Sequence, residues 1–169
     1  GALQCTPANP SCNDCPLRDE CLSLAAGTVA ERPVKAGRTR IRPRYLNYLH
    51  LECGGRIALR RRPEGDIWQG LYDLPAIESD RPLDFTELAA APPFRDMFGT
   101  LPYRLVRTIR MPKHQLSHQT LHAAYHRLAL DAWPSAAEGW TLVPYELLED
   151  YAIPRLLDRY FERIGNSDT

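Results

Sequence analysis

The alternation of apolar and polar positions changes period along the chain. Residues 45–51, Tyr-Leu-Asn-Tyr-Leu-His-Leu, read as a strand, and residues 56–61 read as its return. Gly54-Gly55 between them is a hairpin turn signal. Pro63 and Gly65 then break the pattern. Residues 85–91 predict a helix with Asp84 as its N-cap. Residues 103–111 and 120–130 predict two further strands, separated by residues 113–119, and residues 140–143 a short one. Residues 144–150 and 154–164 predict helices, the second with Leu156, Leu157, Tyr160, Phe161 and Ile164 on one face. Strands first, with helices interspersed and last, predict an α+β fold: a mixed β-sheet with flanking helices.

Ahead of this pattern the chain has another character. Residues 1–25 hold four of the five cysteines. Residues 28–44 are rich in Arg, Pro and Gly without apolar periodicity, which predicts an extended basic linker. The domain boundaries are therefore set at 1–27, 28–44 and 45–165. A length of 169 residues allows one sizeable domain and little more. With 44% hydrophobic and 25% charged residues the composition is that of a globular domain. No stretch reaches the roughly 18–20 apolar residues of a membrane span. The first residues show no basic start or apolar run, so no signal peptide is expected, and the missing initiator Met suggests a fragment.

Charge sharpens this picture. The net charge is zero, yet residues 32–62 carry ten Lys/Arg against Glu52 alone. Residues 64–96 carry eight acidic residues against two Arg, and residues 104–127 are again basic. A neutral total can thus conceal a basic face for phosphate, although such clusters also simply solvate a surface.

The cysteines fall as Cys5-x6-Cys12-x2-Cys15-x5-Cys21. Disulfides would need an oxidising compartment. Structural zinc usually takes two close pairs of ligands, and only Cys12 and Cys15 are close. Four thiolates on one short loop can also wrap a [4Fe–4S] cubane. The spacing, with the following Leu22-Ser23-Leu24-Ala25-Ala26, resembles the cluster loop of the MutY and endonuclease III family. That resemblance implies a [4Fe–4S] cluster ligated by Cys5, Cys12, Cys15 and Cys21. Between Cys5 and Cys12 there is no Lys or Arg, a departure from the basic insert common in the family. Cys53 reads as an ordinary strand cysteine.

The segment 68–75, Trp-Gln-Gly-Leu-Tyr-Asp-Leu-Pro, resembles the W-x-G-L-[WY]-x-[FL]-P segment of MutY C-terminal domains, and Tyr151-Ala152-Ile153-Pro154 also fits their pattern. Core packing is the plainer role for Trp68 and Tyr72. The resemblance implies a Nudix-like fold for the sheet. A Nudix hydrolase would add a helix rich in glutamate to hold Mg2+. Here residues 78–87 scatter their acids and include Pro82, so hydrolase chemistry is not expected.

Four of the five histidines stand at 114, 118, 122 and 126. On a helix this spacing would suit a metal, but residues 120–126 alternate like a strand. MutY proteins carry a Phe-Ser-His loop between two strands that inspects 8-oxoguanine, and Leu116-Ser117-His118 resembles it with Leu for Phe. Oxidised guanine carries an N7–H donor in place of an acceptor and gains an acceptor at C8. A serine hydroxyl can both donate and accept, so it can answer that edge.

The resemblance implies the C-terminal part of an adenine DNA glycosylase of base excision repair, which binds duplex DNA at 8-oxoG:A mispairs. It implies a monomer with no membrane, bacterial and cytoplasmic, working with an N-terminal catalytic domain of the same protein. These residues then hold no catalytic side chain. Arg38, Arg40, Arg42, Lys113 and His114 are candidate contacts to the DNA backbone. The alternatives are a Nudix-type hydrolase of oxidised nucleoside triphosphates and an electron carrier built on the cysteine loop.

Overall fold

The computed structural model describes residues 3–6, 8–32 and 41–165, so Arg38 and Arg40 lie outside the described residues. The chain forms two compact units, Gly1–Arg40 and Ile41–Thr169. The first is built from short turns of helix: a 3-10 turn at Cys12–Asp14, helix α1 at Leu22–Ala25, and another 3-10 turn at Val29–Glu31. Cys21 stands at the N-cap of α1, its carbonyl accepting from the Ala25 amide at 3.0 Å.

The second unit opens with β1 (Arg42–Cys53) and β2 (Arg56–Arg61), joined by Gly54 and Gly55 at φ +56° and +74°. A left-handed pair at the turn is what a tight hairpin requires and what glycine supplies at least cost. Next come β3 (Tyr72–Asp73), β4 (Ala76–Ser79), α2 (Phe85–Ala90) and α3 (Pro92–Phe98). Strands β5 (Tyr103–Arg110), β6 (His114–Gln115), β7 (Gln119–Leu130) and β8 (Thr141–Pro144) follow. A 3-10 turn at Tyr145–Asp150 leads into α4 (Arg155–Gly165).

The sheet runs β3-β2-β1-β7-β5, with β4 beside β1, β6 beside β7, and β8 beside β2. Among the described residues only β1 and β7 run parallel, in register from Arg42 opposite Gln119 to Glu52 opposite Ala129. The pleat sends alternate side chains of these two long strands to opposite faces. Leu46, Tyr48, Leu121, Ala123 and Tyr125 bury one face with Leu157 of α4. There Tyr48, Tyr125 and Tyr160 stack with centroids 4.7 and 4.1 Å apart. Leu49, Leu51, Leu128 and Leu130 bury the other face under Leu88 of α2 and Phe94 of α3. The expected mixed sheet with helices on its faces is what forms.

The N-cap expected at Asp84 closes α2, and the structure extends it to a capping box: the Asp84 carboxylate accepts from the Glu87 amide at 2.8 Å, and the Glu87 carboxylate accepts from the Asp84 amide at 2.9 Å. Two local expectations are corrected. Strand β1 begins at Arg42, inside the stretch assigned to the linker, because parallel pairing with β7 holds residues 42–44. Residues 144–150 do not form an α-helix; Pro144 ends β8 and a 3-10 turn follows. Helix α3 has no counterpart among the expected elements; it starts on Pro92, a residue suited to a first turn where no amide need be bonded. Among the described residues no helix is long and apolar enough to cross a membrane.

Candidate nucleic-acid interface

Strands β6 and β7 form a hairpin with His114 opposite Leu121 and Gln115 opposite Thr120. Its tip is Ser117-His118, both exposed, while Leu116 is half-buried and packs on the core beneath α4. The Leu116 amide donates to the Gln119 carbonyl at 2.8 Å, which closes the tip. Gln115 braces it from the side: its Nε2 donates to the carbonyls of Leu116 (2.9 Å) and Gln119 (3.3 Å). Its Oε1 accepts from the Thr120 hydroxyl at 2.7 Å. The Arg42 amide donates to the His118 carbonyl at 3.1 Å, so β1 holds the tip from the other side. The result is an apolar anchor, a braced backbone and two polar side chains presented to solvent.

The flanking candidates divide. Lys113 is exposed beside the hairpin. Arg42 is exposed on β1, its guanidinium 3.9 Å from the Glu78 carboxylate. His114 is half-buried, its ring 6.1 Å from that of Trp68, so it supports the hairpin base. The four histidines of the 114–126 stretch do not converge: His118 is at the tip, His122 stacks on Tyr45 at 4.8 Å, and His126 lies buried by Phe85.

Trp68 sits on a strained loop. It is the one non-glycine with positive φ (+57°) among the described residues, a backbone state costing on the order of 1–2 kcal/mol. Arg62 holds that loop in place. Its Nε donates to the Ile67 carbonyl at 2.8 Å, and its guanidinium carbon lies 5.7 Å from the centre of the Trp68 ring. The same guanidinium pairs with Asp66 at 2.5 Å and Asp73 at 3.1 Å. Arg44 completes the network, pairing with Asp66 at 2.5 Å and Glu78 at 2.6 Å. The Arg44 hydrogen bond lowers Asp66 to about 2. Burial instead raises Asp73 to about 6, with Arg62 opposing. Sequence reasoning missed this network, and it missed Gln115 and Thr120; partners so far apart along the chain leave no local signal.

In the first unit Cys5, Cys12, Cys15 and Cys21 all line one cavity of about 330 Å3, and all are free thiols. Among the described residues no three His, Cys, Asp or Glu side chains converge closely enough for a single metal ion. A cubane takes its ligands around a cage rather than about a point; here Cys5 is exposed and Cys12, Cys15 and Cys21 are half-buried. Cys53 is half-buried against the second core, as an ordinary strand residue.

The acids after the Trp68 segment do not form a glutamate-rich helix. The one carboxylate on α2, Glu87, is occupied by the capping box and by Arg81 at 2.8 Å.

The NUDIX domain profile matches residues 47–163. The chain belongs to the NUDIX domain family. Its relatives include the adenine DNA glycosylase of Buchnera aphidicola subsp. Schizaphis graminum, 28% identical over 79 residues that make up 47% of this chain and 23% of that protein. The adenine DNA glycosylase of Buchnera aphidicola subsp. Baizongia pistaciae is 27% identical over 124 residues, 72% of this chain and 32% of that protein. The chain thus spans a third or less of these relatives. The NUDIX fold also matches the C-terminal domain of mouse MUTYH, solved in complex with human PCNA. The TM-score there is 0.54 at 20% identity, over 74% of this chain and 89% of that one. The relationship is therefore to the C-terminal region of adenine DNA glycosylases, as the Trp68 and Ser117 segments implied.

Proposed function

We propose that this NUDIX domain reads 8-oxoguanine in duplex DNA for an adenine DNA glycosylase, through Ser117 and His118. The observation that carries this reading is the braced tip: Leu116 anchored in the core, Gln115 fixing three bonds around the turn, and Ser117 and His118 exposed. A preorganised donor–acceptor pair loses little entropy on meeting a base edge. The Ser117 hydroxyl accepts from N7–H of the oxidised base and donates to its C8 oxygen; guanine offers only an acceptor there. His118 takes an adjacent polar edge or a phosphate. Leu116 replaces the family's aromatic residue and gives the turn its anchor rather than a stacking surface.

Arg42 and Lys113 add contacts to phosphate on either side of the tip. The same role is proposed for Arg38 and Arg40, whereas His114 serves as support for the hairpin. The four cysteines are assigned to a [4Fe–4S] cluster that fixes their loop, on the strength of a spacing that resembles the family's cluster loop. The cluster supplies structural cross-linking, with no step of the chemistry assigned to it here. Adenine excision is assigned to a catalytic domain of the same protein outside these residues, acting on an extruded base. No side chain described here takes a catalytic role. The hydrolase alternative gains nothing from α2, whose one carboxylate is already engaged.

The test is competition binding to duplexes carrying 8-oxoG:A, G:A and 8-oxoG:C. A preference for 8-oxoG:A over G:A that weakens in Ser117→Ala supports the reading; equal binding to both opposes it.

A further inference from the structure

Strand β5 is the last strand of the sheet order, and its outer side pairs with no other strand among the described residues. Its cations are unusual in a chain of zero net charge. From Asp96 to Asp131 there is no Asp or Glu, while Arg104, Arg107, Arg110 and Lys113 follow one another at intervals of three. All four are exposed. On an ordinary strand such spacing would alternate the faces. Here a bulge between Leu105 and Arg107 sets Arg104 opposite Ala129 and Arg107 opposite Arg127, so the two share one face. The neighbouring Arg127 is paired with Glu52 at 2.9 Å. Arg104 and Arg107 have no ion pair or side-chain hydrogen bond among the described residues. Arg110 is tied by one nitrogen, donating to the Leu83 carbonyl at 2.8 Å.

We propose that the outer edge of β5 at Arg104 and Arg107, continued past the end of the strand by Lys113, is a rail for the phosphate backbone of duplex DNA. The proposal rests on the reading of Ser117-His118 as the lesion contact, because the rail ends beside that tip. Arg104 faces Ala129 of β7, and β6 faces Leu121 and Thr120, so the row covers roughly 24 Å of strand. A duplex carries one charge per about 1.7 Å of axis, dense enough to meet every cation in the row. Charge on an edge strand also discourages sheet-to-sheet pairing, but either sign would do that. A run of one sign, with no acid between Asp96 and Asp131, matches a polyanion. The rail adds affinity and register and carries no base information.

The full chain is titrated with 8-oxoG:A and G:A duplexes across 50–300 mM KCl, comparing wild type with R104Q/R107Q and R104K/R107K. Each lost contact removes about 0.9 from the slope of log K against log salt, so the Gln pair lowers it by about 1.8. At 0.1 M salt that corresponds to roughly 60-fold weaker binding to both duplexes, with the ratio between them kept. The Lys pair keeps the slope, which separates charge from folding. An unchanged slope in the Gln pair overturns the rail, and so does loss of binding to poly-glutamate with duplex binding intact, which marks an edge for an acidic protein. Ser117→Ala should change the ratio and leave the slope. If wild type shows no lesion preference while the Gln pair still lowers the slope, the tip reading fails and the rail stands.

Discussion

The Thr120 hydroxyl donates to Gln115 Oε1 at 2.7 Å, which turns the Gln115 amide nitrogen toward the carbonyls of Leu116 and Gln119. One side chain thereby fixes the direction of a two-residue tip. In the proposed reading Gln115 is a positioning residue that works through Ser117 and His118. Gln115→Ala and Gln115→Glu both lose the amide donor. Each is expected to lower the 8-oxoG:A over G:A ratio about 3–10-fold, the scale of one or two net hydrogen bonds. Binding to undamaged duplex and the unfolding midpoint should move little, as Gln115 is exposed. Equal effects on both duplexes would reduce the brace to a general structural role.

Arg62 compensates a buried carboxylate. Its side chain is 10% exposed and that of Asp73 3%. Removing one partner strands the other charge, which costs about 3–5 kcal/mol. Arg62→Ala should lose that amount in urea unfolding and also free the Trp68 loop. Arg62→Met combined with Asp73→Asn should recover part of the loss.

Acid should destabilise the NUDIX domain well above the ordinary carboxylate range. Burial lowers His50 to about 3 and His126 to about 4. Below pH 6.5 the unfolded chain binds protons that these folded imidazoles refuse, so each costs about 1.4 kcal/mol per pH unit as pH falls. Asp73, raised to about 6, acts oppositely: its folded form binds the proton first, which adds stability as pH falls from 6 toward 4. The balance between pH 6 and 4 is a net loss of about 1.4 kcal/mol per unit. Urea unfolding at steps across this range should show that slope, and Asp73→Asn should roughly double it. A flat profile would contradict the burial of these histidines as neutral rings.

The cysteine loop and the NUDIX domain are separate compact units. Cys12→Ala should therefore abolish iron and sulfide incorporation and leave the urea unfolding of the second unit unchanged. Full iron content in that variant would exclude Cys12 as a ligand.

Much of the sheet was legible because its signals are local: Gly54-Gly55 at a turn, alternation in β5 and β7, the apolar stripe of α4, and Asp84 as an N-cap. What escaped depends on distant partners. Parallel pairing with β7 draws Arg42 and Arg44 out of an apparent linker, and Arg44, which looked like one more linker cation, is held by Asp66 and Glu78. Of the site, Leu116-Ser117-His118 could be found as a motif. Its brace could not, since nothing marks one glutamine among polar loop residues as the one that turns inward. The bulge that aligns Arg104 with Arg107 was hidden for the same reason: its cause lies in the register with β7.

The most direct measurement is competition binding of the chain to 8-oxoG:A and G:A duplexes at physiological salt, with Ser117→Ala alongside. The account predicts tighter binding to 8-oxoG:A in wild type, with that preference reduced about tenfold in the variant and affinity for G:A unchanged. Equal affinity of wild type for the two duplexes, or a preference untouched by Ser117→Ala, would contradict it.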